Sequence, residues 1–208
     1  MNEEKVYQAL KSHIPESSFN YCFALWRSSP FELKITRSRQ SKVGDFTSRR
    51  DIKHPRITLN HDLNPYLFLV TYIHEVAHLY VFLKHGNRVD PHGDEWKNAF
   101  KQLMDPILDN HHFPHQILQV LIPHMINPKA SSFADAELTK AFRLFDKNAS
   151  QFACLSDLPE GSVFEFQHRF FKKGKLKRTR IVCREIKSKR NYLIPAEVLV
   201  SNVQLSLL

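Results

Sequence analysis

Apolar side chains recur with a helical period in several stretches of the first 150 residues. In 94–108 they have the spacing of one buried helix face, at Trp96, Ala99, Phe100, Leu103 and Met104. The pair Asn64 and Pro65 is typical of a helix start, and Gly86 is typical of a helix end. Helices are predicted over 3–12, 16–27, 64–85, 94–108, 116–125 and 134–148.

Shorter stretches alternate between apolar and polar residues, the period of a strand. Two of them precede the long helix, at 31–36 and 56–60, and the segment 42–46, which contains Gly44, is predicted to be a turn into a further strand between them. After Cys154 the helical period ends, and strands are predicted over 162–170, 176–185, 191–194 and 198–205. The pattern predicts an α+β chain with a small antiparallel sheet in a helical domain, 1–150, and an antiparallel β unit, 151–208.

The long apolar helix contains the sequence His74-Glu75-Val76-Ala77-His78, an HExxH motif. Residues i and i+4 share one helix face, so both imidazoles can reach one metal ion, with Glu75 beside them. Buried polar groups without partners cost about 1–3 kcal/mol each, and a metal site would supply those partners. The alternative is a pair of core histidines bonded to backbone.

A catalytic zinc ion needs a third protein ligand. The candidates downstream are His85, Asp90, His92, Asp94 and Glu95. His85 would lie about 10 Å beyond His78 along the same helix axis and cannot share the ion. His92 follows the Gly86 stop and a turn at 90–91, where the chain can double back over the helix. We therefore predict His92 as the third ligand, the alternative being that it only caps the next helix.

The amino-acid composition indicates which class of protein this chain belongs to. The chain has 208 residues, 42% hydrophobic and 25% charged, which is typical of a folded domain and excludes disorder as its main state. Three cysteines do not make a disulfide framework, and no signal peptide is visible. The most apolar stretch, 66–83, is interrupted by His74, Glu75 and His78, which argues against a membrane span. These features predict a cytoplasmic protein.

The net charge of +9 is unevenly distributed. Segment 169–190 carries +10 and segment 27–56 carries +6, whereas 57–168, which contains HExxH, carries −5. Basic groups follow phosphates and aromatic rings stack on bases. Phe166, Phe170, Phe171 and Tyr192 are interleaved with the basic residues of the tail. Nucleic-acid contacts are therefore predicted for Lys172, Lys173, Lys175, Lys177, Arg178, Arg180, Arg184, Lys187, Lys189 and Arg190. The alternative is a solvated face or the protection of an edge strand.

The stretch HEVAHLYVFLKHG followed by PHGDEWKNAF resembles the SprT-like zincin domain of bacterial SprT proteins and Spartan proteases. SKVGDF, ITLN and INPKASS are similar to bacterial SprT-like sequences as well. The resemblance covers most of residues 20–150. It implies a zincin fold, a single catalytic Zn²⁺ on His74, His78 and His92, and Glu75 as general base. It also implies a metalloendopeptidase acting on DNA-associated or DNA-crosslinked proteins, with single-stranded or damaged DNA as a partner.

The tail departs from that family's pattern. Many SprT-like proteins have a C-terminal zinc ribbon with paired CxxC motifs, but here Cys154 and Cys183 are single. We predict a ribbon-like β unit without its metal, in which both thiols are small buried residues; His168 is the one further candidate ligand. His111, His112 and His115 are predicted to be surface histidines, and Tyr72 and Tyr80 to be core residues. Two other functions stay open: a DNA-binding protein with a structural zinc, and a DNA-independent metallopeptidase.

Overall fold

A computed structural model describes residues 3–39, 42–48, 54–130, 135–146, 152–196 and 198–205. The chain forms two units, residues 1–146 and 147–208, and each is described by itself. The predicted boundary between residues 150 and 151 lies outside the described residues. The predicted α+β class is confirmed, because helices and strands are segregated along the chain rather than alternating.

Among its described residues, the first unit has six α-helices and a small sheet. The helices are α1 Glu3–His13, α2 Glu16–Ser28, α3 Pro65–His85, α4 Asp94–Met104, α5 His115–Ile126 and α6 Ala136–Arg143. Its strands are β1 Glu32–Thr36, β2 Gly44–Thr47 and β3 Arg56–Asn60. Each predicted helix has a counterpart within a few residues, although residues 134 and 147–148 of the last prediction lie outside the described part of the chain.

The sheet of the first unit is mixed, with the order β1-β3-β2. Strand β1 runs parallel to β3, with Leu33 opposite Ile57, and β2 runs antiparallel to β3, with Phe46 opposite Ile57. The prediction of an antiparallel sheet is therefore wrong for the β1–β3 pair. A period of two is the same in both kinds of pairing, so the sequence pattern does not report strand direction. Strand β2 lies at one edge of this sheet.

Helix α3 is the central element of the first unit. The side chain of Asn64 caps it by accepting hydrogen bonds from the backbone N–H groups of Tyr66 and Leu67, at 3.2 and 3.0 Å. The helix ends at Gly86, whose φ of 60° favours glycine. By length and composition α3 could cross a membrane, but 67% of its most apolar window is buried inside the unit. It is the core helix of this domain.

The described residues of the second unit form a six-stranded antiparallel sheet in the order β4-β9-β5-β6-β7-β8. Its strands are β4 Phe152–Cys154, β5 Val163–Phe166, β6 Arg169–Lys177, β7 Arg180–Glu185, β8 Asn191–Pro195 and β9 Leu199–Gln204. The strand predicted over 162–170 is wrong, because Gln167 and His168 break it. Both have positive φ, 51° and 60°, the geometry of a tight two-residue hairpin turn. Neither residue is a usual signal for such a turn, which is why the pattern missed it.

The second unit has its own hydrophobic core, which includes the thiol of Cys183, 0% exposed. Cys154 is also buried, and neither cysteine forms a disulfide bond within the described part of the chain. Burial raises the pKa of Cys183 to about 11, so this thiol stays protonated at neutral pH. His168 faces solvent beside Glu165. Both thiols are buried, as predicted, and among the described residues no group of metal ligands includes either of them.

Candidate metal centre

Three histidine rings converge beside helix α3. The Nε2 atoms of His74 and His78 are 3.2 Å apart, those of His78 and His92 are 3.1 Å apart, and those of His92 and His74 are 3.4 Å apart. A tetrahedral zinc ion with Zn–N bonds of about 2.0–2.1 Å spaces its ligand nitrogens by about 3.3 Å. The three nitrogens therefore have the spacing of three corners of a zinc tetrahedron, which leaves the fourth corner to a water or substrate.

The local sequence explains this convergence. His74 and His78 lie one turn apart on α3 and share a face. Helix α3 ends at Gly86, and the turn before α4 brings His92 back over that face. Trp96, fully buried on α4, packs its ring against all three imidazoles, with ring centroids 4.6, 5.5 and 4.8 Å away. Its indole N–H also donates to the carbonyl of His74 at 3.4 Å.

The electrostatics favour neutral imidazoles. Burial lowers the pKa of His74 well below its usual value, and the neighbouring rings add to that shift. Burial and the charge of His92 lower the pKa of His78 to about 4, and burial also lowers the pKa of His92. A histidine binds a metal ion only when it is neutral. The cluster is thus ready to bind a divalent ion near neutral pH without first losing protons.

Glu75 is buried, 6% exposed, and its carboxyl group lies against strand β2. Burial raises the pKa of its carboxyl group to about 8, and the charge of Asp45 adds to the rise. The backbone N–H of Phe46 donates a hydrogen bond that opposes it. The close approach depends on Gly44, because a Cβ there would lie 2.6 Å from Oε1 of Glu75. The carboxylate therefore lies beside the metal ligands without joining them.

These residues line a cleft of about 1050 Å³. One side is helix α3 and another is the edge strand β2, while the segment from Gly86 to His92 closes a third. Sequence reasoning missed the contribution of the segment around β2. The sequence predicts a turn at Gly44 and a strand near Phe46, but neither residue carries a local signal for a position against Glu75 or His78.

Comparison with known proteins identifies the first unit. The model of the SprT-like family matches residues 17–117, which contain the three histidines, Glu75 and the cleft-lining strand β2. This segment belongs to the SprT-like family. The SprT-like family is a zinc-associated family of metalloprotease-type domains. No curated protein and no solved structure matches the chain.

The second unit, with its basic residues, lies outside the SprT-like match. Of the ten residues predicted to contact nucleic acid, nine are exposed. Lys173 is the exception, 9% exposed, with its Nζ donating to the carbonyls of Ser156, at 2.9 Å, and Leu158. The prediction is wrong for Lys173, because its ammonium group is held inside the unit. The cause is strand alternation, which points it to the opposite face from Lys172.

The outer face of strands β6 to β8 holds basic and apolar residues together. Lys172 on β6 pairs with Arg184 on β7, and Val182 pairs with Leu193 on β8, which places these four on one face. Phe170 is 46% exposed on the same face. The other aromatic residues predicted to stack on bases are not free to do so, since Phe171 is 2% exposed and Phe166 and Tyr192 pack against the second core.

Other histidines and tyrosines fall largely where the sequence predicted. His112 bonds Asp109 at 2.8 Å and His115 bonds Gln119 at 2.8 Å, and among the described residues they form no ligand group with His111. Tyr72 is fully buried and donates to the carbonyl of Cys22 at 3.0 Å. Tyr80 packs at the edge of the first core. Neither tyrosine lines the cleft beside the SprT-like histidines.

Proposed function

We propose that this chain is a zinc-dependent metalloendopeptidase whose second unit binds nucleic acid. The peptidase function is supported by the convergence of three Nε2 atoms within 3.4 Å of one another. Glu75 lines the same open cleft. His74, His78 and His92 would hold the ion. When bound there, zinc would polarise the scissile carbonyl and lower the pKa of a bound water to near 7.

The chain's own residues would perform the remaining steps. Glu75 would accept a proton from the attacking water and deliver it to the leaving amine. The edge strand β2 would bind the substrate in extended form, because among the described strands it pairs with β3 alone and keeps its other edge open. A substrate held in this way must be unfolded locally. The proposed substrates are therefore flexible segments of proteins.

The second part rests on the outer face of β6 to β8. Exposed lysines and arginines would bind phosphates, and Phe170 would stack on an unpaired base. Nucleic-acid binding is supported by the pairing of Lys172 with Arg184 on a face that also exposes Phe170 and Leu193. This combination favours single-stranded over double-stranded DNA. The resulting enzyme would act in the cytoplasm on proteins bound or crosslinked to DNA, and it would need no membrane.

A protease assay tests the enzymatic part. Purified protein should contain close to one zinc per chain and should cleave a DNA-binding protein substrate. Glu75→Gln should keep the zinc, because Glu75 is not a ligand, but lose cleavage. Zinc content without turnover under any condition would favour a DNA-binding protein with a structural zinc, and cleavage retained in Glu75→Gln would refute the assignment of the base.

A binding assay tests the nucleic-acid part. Lys172→Glu with Arg184→Glu should weaken binding of a fluorescent single-stranded oligonucleotide and flatten its salt dependence. The matched control is Lys84→Glu with Lys97→Glu, which changes the net charge equally on helices of the acidic segment. Equal loss in both variants would show that only net charge matters. Full cleavage activity in the first variant, with and without DNA, would favour a DNA-independent peptidase.

A further inference from the structure

The candidate cleft has a direction, because α3 and β2 run alongside each other. The start of β2 lies against the earlier turns of α3, since a Cβ on Gly44 would be 2.6 Å from both Thr71 and Glu75. The end of β2 lies against later turns, since the ring of Phe46 is 6.4 Å from that of His78 and 5.8 Å from that of Phe82. The metal ligands lie between these two ends.

The two ends differ in chemistry. The rim at the start of β2 is basic: Lys42 lies there, with its Nζ 2.7 Å from Asp45, and so does Arg39. The guanidinium of Arg39 is fixed by hydrogen bonds to Asn60 at 2.8 Å and Thr58 at 3.1 Å. Among the described residues of this rim, Asp45 is the acid that pairs with Lys42, and Lys42 keeps 45% of its side chain exposed.

The wall at the end of β2 is apolar. It is formed by side chains from β2, α3 and the turn after it, which are Phe46, Val81, Phe82 and Val89. Phe46 and Val89 are partly buried against the first core, so this wall is held in place from behind. Asp90, next to the wall, is the acid at this end of the cleft. A large apolar side chain would lose water contact here, whereas an acidic one would meet Asp90.

We propose that the cleft selects peptide segments with a large apolar side chain on the N-terminal side of the cleaved bond and an acidic side chain on the C-terminal side. The inference rests on the proposed peptidase function. An extended peptide pairs most stably with an edge strand when it runs antiparallel to it. Running antiparallel to β2, its N-terminal half lies along the Phe82 wall and its C-terminal half along the Lys42 rim.

The two preferences should differ in size. Small differences in apolar side chains change kcat/KM by about 10- to 200-fold in a well-formed apolar pocket, and this wall is open, so roughly tenfold is expected. A charge pair at an exposed rim is worth a factor of about two to five. The apolar preference should therefore dominate the acidic one.

Four otherwise identical peptides would test the proposal, with Leu or Ser before the central bond and Glu or Lys after it. Mass spectrometry locates the cleaved bond, and kcat/KM is measured for each peptide with zinc-loaded protein. Wild type should favour Leu over Ser and Glu over Lys. Lys42→Glu should invert the Glu-to-Lys ratio, and Phe82→Ala should reduce the Leu-to-Ser ratio. The matched control is Lys34→Glu, on the opposite edge strand β1, which should leave both ratios at their wild-type values.

The outcomes separate the failure of this proposal from failure of the proposed function. Cleavage of all four peptides at equal rates, or a preference for Glu before the bond, would overturn the proposed polarity and leave the peptidase intact. No cleavage of any peptide by the zinc-loaded protein would overturn both. A Lys42→Glu variant that loses oligonucleotide affinity but keeps its Glu-to-Lys ratio would assign the rim to nucleic acid and overturn the proposal.

Discussion

Replacing Gly44 with alanine would test whether the strand β2 positions Glu75. The added Cβ would lie 2.6 Å from Oε1 of Glu75, 2.6 Å from Cγ2 of Thr71 and 3.1 Å from Cγ of Glu75. Because such carbon atoms do not come closer than about 3 Å to a neighbour, either Glu75 or β2 must shift by about 0.4 Å. A misplacement of about 1 Å in a catalytic site can reduce activity by about 100-fold.

We therefore expect Gly44→Ala to lower kcat/KM by roughly tenfold or more, with a loss of stability of about 1–3 kcal/mol. Zinc content should stay near that of wild type, because the three atoms nearest the added Cβ belong to Thr71 and Glu75 and not to the histidines. The assays are peptide cleavage, zinc analysis and urea unfolding.

Gly174→Ala is the matched control, since its Cβ would lie 2.6 Å from the carbonyl oxygen of Val182 in the second unit. It should destabilise that unit without changing the cleavage of a short peptide. Wild-type activity in Gly44→Ala would refute the argument that this close approach sets the position of Glu75.

Three further predictions concern packing and charge. Trp96→Ala should lower the free energy of unfolding by about 3–5 kcal/mol and weaken zinc binding, because it removes the ring packed on all three histidines; urea unfolding and metal titration check this. Hydrogen bonds from Arg169 and Ser188 lower the pKa of Glu185 to about 2, so the stability it contributes is complete above about pH 4.3 and disappears as the pH falls toward 2. Glu185→Gln should flatten that acid dependence in unfolding measured from pH 5 to 2, and an unchanged profile would contradict the ion pair. Lys173→Met should lower the melting temperature of the second unit, since the carbonyls of Ser156 and Leu158 lose their donor; oligonucleotide affinity should stay at the wild-type level.

The metal ligands could be predicted from local patterns. His74 and His78 follow from helical geometry alone, because the spacing of four residues puts both side chains on one face. His92 follows from the Gly86 stop, which forces the chain to turn and allows it to return. Its two distances to the other ring nitrogens, 3.1 and 3.4 Å, are nevertheless a result of packing, above all of Trp96 against the imidazoles.

The basic tail shows the limit of reading charge from composition. Segment 169–190 carries +10, and that number is independent of how the segment folds. Whether each lysine is exposed or buried depends instead on which face of its strand it occupies. Lys172 and Lys173 are neighbours in sequence, yet one faces solvent and the other is buried, because adjacent residues in a strand point to opposite faces.

By itself, the sequence determined the features that depend on neighbouring residues: the helix α3 with its Asn64 cap, the HExxH face, and the uneven charge. The tertiary structure decided the features that depend on residues distant in sequence. It made β1 parallel to β3, placed Gly44 against Glu75, and put an apolar wall and a basic rim at opposite ends of one cleft. The physical reason is that periodicity records which face of an element is buried, while the direction of a strand and the element that packs on it are set by the fold as a whole.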